Sequence, residues 1–173
     1  MTATAQGNGS NPVPVALSFG HELSRVKFSI QTEATVTLSN IRLTGLAYKG
    51  TFSKEPNASG TWTVLTKAEG DKTQFKTDDG GTMHANAPTD QLGGDLLLIP
   101  QPMTETSVFS MTWTYEDGTA KIFEVSLPKA GQPEWKRGIS YHYSAVIPEQ
   151  SSDIELTVSV GDWNDKKVNV DLQ

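Results

Sequence analysis

Three histidines, two acidic pairs and four tryptophans are the residues whose chemistry would first suggest an activity. His21, His84 and His142 stand far apart. No two fall at i, i+2 or i+4 and HExxH does not occur, which excludes the helical zinc-protease arrangement. His21 with Glu22 could pass a proton in a cleft. Lying between two strand patterns, it reads instead as a corner histidine held by a backbone carbonyl. His142 sits opposite the apolar positions of its strand and is expected exposed or half-buried; His84 falls in a polar loop. Asp78-Asp79 and Asp162 with Asp165 are the densest carboxylates. They lack EF-hand spacing, and Asp beside Gly is an ordinary turn former, so no metal is assigned. The glutamates fall mostly at strand ends or on polar faces, and no pair stands out as the acid and base of a glycosidase.

The remaining catalytic signatures are missing. GxSxG, GxxxxGK[ST] and a helix-opening GxGxxG are absent, so no nucleophile elbow, P-loop or dinucleotide turn is indicated. The chain has no cysteine, which removes thiol nucleophiles, disulfides and Cys-ligated zinc or iron–sulfur clusters. No catalytic residue, metal or cofactor is assigned, and the chain is expected not to be an enzyme. Among the tryptophans, Trp62 and Trp113 share the phase of strand apolars and belong in a core. Trp135, after Pro133-Glu134, and Trp163, in Gly161-Asp162-Trp163-Asn164-Asp165, stand at turns. There an aromatic either plugs the open end of a sandwich or offers a flat face to a sugar or partner.

Those residues must be held by something, and the period of the chain says what. With 173 residues and a formal charge of −6, it fits one domain that buries about two-thirds of its extended surface without staples. The acidic balance argues against a duplex nucleic-acid footprint. No apolar run approaches the roughly 18 residues of a membrane helix, and no basic-then-apolar leader opens the chain. Residues 1–12 are Gly, Asn, Ser, Thr and Ala without period and read as a flexible linker or tail. Met1 before such a stretch is expected of a domain excised from a longer chain. Residues 13–173 then read as a single domain.

The period is two nearly throughout. Val13, Val15, Leu17 and Phe19 alternate with smaller residues, with Pro14 marking an edge or strand start. Val26, Phe28 and Ile30 follow against Arg25, Lys27 and Ser29. Val36 and Leu38 are out of phase with Ile41 and Leu43, which predicts a β-bulge near Ser39-Asn40. Phe52, then Trp62 and Val64, sit between turn signals. Residues 66–95 read as a long polar loop with one short strand near Phe75. Leu96 to Ile99, closed by Pro100, reads as a central strand buried on both faces, or as one leading into a corner. Phe109, Met111, Trp113 and Tyr115 form a hairpin with Phe123, Val125 and Leu127 through Asp117-Gly118. Tyr141 to Ile147, Ile154 to Val160, and Val168, Val170 and Leu172 complete about ten strands; no helical stripe of 11 residues occurs. Alternation argues for antiparallel sheets with one wet face each. Two such sheets must bury each other, giving an all-β, antiparallel two-sheet β-sandwich; a closed barrel shares the same periodicity.

Four segments in order resemble one family. His21-Glu22-Leu23-Ser24-Arg25-Val26-Lys27-Phe28 is similar to the opening strand of fimbrillin-like domains of Bacteroidales. Leu96-Leu97-Leu98-Ile99-Pro100-Gln101, followed by Pro102, resembles their L-x-[IL]-P-Q strand. Gly131 through Tyr143, with Trp135, Lys136, Gly138, Tyr141 and Tyr143, resembles their W-x-x-G-x-x-Y-x-Y segment, and Val158-Ser159-Val160-Gly161-Asp162-Trp163 their closing V-x-x-W strand and turn. The resemblance implies a transthyretin-like Greek-key sandwich in a pilus subunit, anchor, tip or related surface lipoprotein. It also implies a lipidated cysteine and strand exchange between subunits after proteolysis; this chain has no cysteine, so either the anchor is expected upstream in a longer native protein or the chain is a one-domain relative. The implied home is the cell surface, outer-membrane associated or fimbrial, and the implied partners are other pilus or surface subunits, or a host or bacterial surface ligand. An unpaired sheet edge suits strand exchange. The candidate assembly edges are Val13, Val15, Leu17 and Phe19, and Val168, Val170 and Leu172. Trp135 and Trp163 are the candidate ligand or interface aromatics, and a carbohydrate-binding module using them is the alternative function.

Overall fold

The computed structural model describes Thr2 and residues 19–55, 58–67, 82–83, 85, 90–149 and 154–163. Val13, Val15, Leu17, Phe75, Val168, Val170 and Leu172 lie outside the described residues, as do Asp78, Asp79, His84 and Asp165.

Alternation is realised as strands: β1 (Ser24–Thr32), β2 (Val36–Thr44), β3 (Ala47–Ser53), β4 (Thr61–Lys67), β5 (Thr82–Met83), β6 (Asp90–Leu98), β7 (Gln101–Pro102), β8 (Val108–Tyr115), β9 (Ala120–Ser126), β10 (Glu134–Trp135), β11 (Ile139–Ile147) and β12 (Thr157–Asp162). A single 3-10 turn, Leu127–Ala130, follows β9. The ladders form four sheets. Two have four strands, ordered β12-β11-β1-β6 and β5-β2-β8-β9; two have two, β10-β7 and β3-β4. The four-stranded sheets face each other, because Phe28 of β1 stacks on Phe109 of β8 with ring centroids 4.5 Å apart. Tyr143, beside Phe28 in the β1–β11 register, also stacks on it with centroids 5.0 Å apart. Around these rings Val26, Ile30, Leu38, Leu43, Met111 and Ile147 are buried, the sandwich-type core that two half-apolar faces require.

The predicted bulge is present. The β2–β8 register shifts between Ser39 and Arg42, and Asn40 takes φ 50 there, so Ile41 and Leu43 return to the core face.

Three expectations are corrected. The pairing is mixed rather than wholly antiparallel: β1 and β11 run parallel from Arg25 opposite Ser140 to Thr32 opposite Ile147. These are the two inner strands of their sheet, the covered position that parallel ladders favour. Leu96 to Ile99 is not buried on both faces, because Leu97 is exposed while Leu98 and Ile99 are buried. Leu96 to Leu98 belong to β6, an outer strand of its sheet, with Ile99 just past its end; β6 begins at Asp90, inside the stretch expected as loop. Finally, β12 starts at Thr157, not Ile154. Ile154 and Leu156 still pack on the core from the preceding segment, which is why they carry the strand's period without its ladder.

Candidate functional site

The resembling segments converge at one corner of the fold, and each has a structural reason there. Gly138, at φ 68, donates its N–H to Leu23 O at 3.0 Å, and its carbonyl accepts the Trp163 N–H at 2.9 Å. This puts the opening segment, the 135–143 segment and the closing turn in contact. The His21 ring lies flat on Trp163, centroids 3.5 Å apart and planes within 6°. His21 is thus part of an aromatic stack with Trp163.

Glu22 is the polar hub of the corner. Its Oε1 accepts from Thr2 Oγ1 at 2.5 Å, its Oε2 from Arg137 Nη1 at 3.2 Å, and Lys54 Nζ lies 3.8 Å away. Its backbone carbonyl accepts the Trp62 indole N–H at 2.8 Å. Thr2 and Gly20 exchange two backbone hydrogen bonds, so Thr2 is tied to the same point. The carboxylate is used up by cations and a hydroxyl, and the neighbouring His21 is stacked. Both residues hold the corner together.

Trp135 is the correction among the candidate aromatics. It is 1% exposed, and its indole N–H donates to Tyr143 Oη at 3.0 Å. Tyr141 Oη accepts the Lys136 N–H at 2.8 Å. The spacing W-x-x-G-x-x-Y-x-Y is therefore a clip: a tight glycine turn folds the tryptophan back onto the two inward tyrosines of β11. Burial raises the Tyr143 hydroxyl to about 12, against a smaller lowering by the Trp135 hydrogen bond; burial raises Tyr141 as well. Trp163 is half-buried, with one face against His21. The Gln of the Leu97–Gln101 segment is buried too. Its amide pairs with the Ala47 N–H at 2.6 Å and the Ala47 carbonyl at 3.1 Å, standing in for a strand neighbour at the start of β3.

The sheet edges are the second candidate. Phe19 is exposed and belongs to no strand; the other six edge candidates fall outside the described residues. Among the described residues the outer strands are β6, β12, β5 and β9. On β12, Val158 and Val160 stand opposite Tyr143 and Tyr141 and so share their core-facing side. Val160 is nevertheless 49% exposed: the core is open at this edge. On β9, Lys121 stands opposite the buried Trp113 and so points inward, a charge that discourages strand addition. On β6, the register shifts between Val26 and Phe28 of its neighbour, and Gly94 takes φ 70; a bulged edge is a poor template. Sequence reading missed Val160 and Lys121 as edge determinants, because which strands are outermost is not written in their period.

Among the described residues no group of three or more His, Asp or Glu is placed to hold a metal, and no helix is long and apolar enough to cross a membrane.

Buried aromatic clips, a latched corner and outer strands with different degrees of protection define an all-β scaffold built for packing and pairing. The chain belongs to the fimbrillin-like family, whose model matches residues 1–163. No curated protein matches the sequence. Among solved structures, it is similar to a fimbrial protein from Bacteroides vulgatus, with 13% identity and a TM-score of 0.50 over 86% of this chain and 56% of that one. It is also similar to a Bacteroides uniformis protein provisionally assigned to cell adhesion, with 18% identity and a TM-score of 0.49 over 86% of this chain and 53% of that one. The chain thus spans little more than half the length of these structures.

Proposed function

We propose that this chain is a non-enzymatic structural or adhesive module of the cell surface, a component of a fimbria or related outer-membrane-associated assembly, that joins neighbouring subunits by strand complementation. Membership of the fimbrillin-like family over residues 1–163 carries the reading. The open β12 edge supports the mechanism. An added strand would pair with the outer backbone groups of β12 and cover Val160, combining main-chain hydrogen bonds with apolar burial. The partners are other pilus or surface subunits, or a surface ligand. In this reading the two four-stranded sheets are the halves of a transthyretin-like Greek-key sandwich, with β3-β4 and β7-β10 as rim additions. Residues 1–12 act as a linker and residues 13–173 as one domain.

The test is assembly of the purified chain, followed as an oligomer ladder that survives mild heating. Deletion of residues 13–19 or of 168–172 is expected to abolish the ladder. A protein that stays strictly monomeric, full-length and truncated alike, would overturn assembly by this domain.

A further inference from the structure

The outward face of the first sheet carries a depression that neither the corner nor the open edge explains. Its volume is ≈ 660 Å³, and Ser29, His142, Ser144, Val146, Glu155 and Thr157 are among its lining residues. We propose that it binds a neutral saccharide of about two sugar units.

The register builds the floor. Ser29 of β1 stands opposite Ser144 of β11, and Ser144 opposite Thr157 of β12, so three hydroxyl side chains form one row across three strands. Short side chains on the face of a sheet leave a hollow where long ones would fill it. Ser29 is 6% exposed, and its Oγ lies 2.6 Å from His142 Nε2, which fixes the imidazole at one end of the row. Ser144 Oγ and Thr157 Oγ1 are 3.0 Å apart, which fixes the other end. Exposed Glu155 adds a carboxylate, and Val146, 47% exposed, adds methyl groups.

The chemistry selects the ligand. Hydroxyls both donate and accept, and a carboxylate accepts two bonds, so the lining answers the vicinal hydroxyls of a sugar. The valine methyls suit its C–H face. An anion is disfavoured by Glu155, and the cation adjacent in register, Lys27 opposite His142, lies 3.4 Å from Asp95. The volume falls within the roughly 300–1,000 Å³ of small-molecule sites. With no tryptophan, tyrosine or phenylalanine among the described lining residues, the expected Kd is on the order of 1 mM.

The test is amide chemical-shift titration of the intact chain with maltose, lactose, mannobiose and N,N'-diacetylchitobiose, with inorganic phosphate as the anionic comparison. At least one disaccharide is expected to give saturable shifts at Ser29, His142, Ser144 and Thr157. Glu155→Ala, an exposed position outside any strand, is expected to weaken binding at least about tenfold with the melting temperature unchanged. Thr157→Val is a second variant expected to weaken it. No saturable shift from any disaccharide up to about 20 mM, shifts confined elsewhere, tighter binding of phosphate, or affinity unchanged in both variants would each overturn the proposal. Thr157 also lies on the β12 edge, so the titration is read on monomeric sample, where sugar binding without assembly would separate this inference from the strand-complementation reading.

Discussion

The two outer strands β9 and β12 hang from the same core and manage their edges in opposite ways. On β9 the core-facing positions are Lys121, Phe123 and Val125, set opposite Trp113, Met111 and Phe109. The two apolar residues pack against the core, and the lysine guards the end. The strand then runs into the 3-10 turn, whose Leu127 is fully buried and whose N–H donates to Ser107 O at 2.8 Å. On β12 the core-facing phase holds Val158 and Val160, opposite Tyr143 and Tyr141, with nearly half of Val160 in solvent; its charge, Asp162, comes only at the strand's last residue, opposite Ile139. Burying a lysine beneath an added strand would cost its hydration, whereas burying a valine would gain apolar contact. The difference teaches that an edge is made receptive by what its inward side chains are, as much as by its free backbone groups.

The largest expected effect comes from breaking the closure of the β9 side. Leu127→Ala removes a fully buried side chain at the point where β9 leaves its sheet, and should cost about 2–5 kcal/mol. Denaturant unfolding measures the loss. Hydrogen exchange should show protection falling at β9 more than at β12; equal loss at both would mean that the two edges are not separately anchored.

The next effect is on the β12 side and depends on pH. Tyr143 lies on β11, the strand that carries β12, and burial raises its hydroxyl from 10.0 to about 12. A folded-state value above the unfolded one means that the native state holds the proton longer. The stabilisation is fully present below pH 10 and is lost as pH rises toward 12, by on the order of 2–3 kcal/mol over the window. Tyr141, raised in the same direction, adds to the fall. Tyr143→Phe should cost about 1–3 kcal/mol at neutral pH, because the Trp135 indole N–H loses its acceptor, yet flatten the alkaline decline. Chemical denaturation at pH 8, 10 and 11.5, chosen to bracket that window, checks both signs. A variant declining as steeply as the parent would overturn the role of Tyr143.

The same contrast shows what the sequence could reveal. The bulge at Asn40, the β8–β9 hairpin and most of the described core residues follow from a period of two and a phase shift, because a strand's faces are a local property; Leu46, Ala47, Leu92 and Met103, at turns or in patchy stretches, do not. The clip from Trp135 to Tyr143 was visible as a spacing, but its purpose was not: whether a turn tryptophan faces solvent or folds inward depends on the glycine turn and on which sheet face lies behind it. The parallel pairing of β1 with β11 and the outer position of β6 are choices of neighbour, which period does not encode. The row Ser29, Ser144 and Thr157 exists only through those choices, since Ser29 is brought beside the other two from far along the chain by the parallel β1–β11 pairing.

The smallest effects on folding should come from exchanging the two edge devices, and they bear most directly on the comparison. Val160→Lys places a charge on a side chain already half in solvent, so monomer stability should change by no more than about 0.5 kcal/mol. If β12 receives the neighbouring strand, the oligomer ladder should disappear, because the ammonium would have to be buried or forced out through the new pairing. Lys121→Val should leave stability similarly unaltered and make β9 receptive, so that association appears or grows. The double variant separates the edges. Assembly through β9 alone would retain a ladder, but should bury Ile122, now exposed on β9, instead of β12. Size-exclusion chromatography with light scattering gives the mass of each species, and amide protection shows which strand is covered. If Val160→Lys assembles as the parent does, the open valine is not the acceptor. The inward lysine of β9 would then lose its standing as the feature that distinguishes a closed edge from a receptive one.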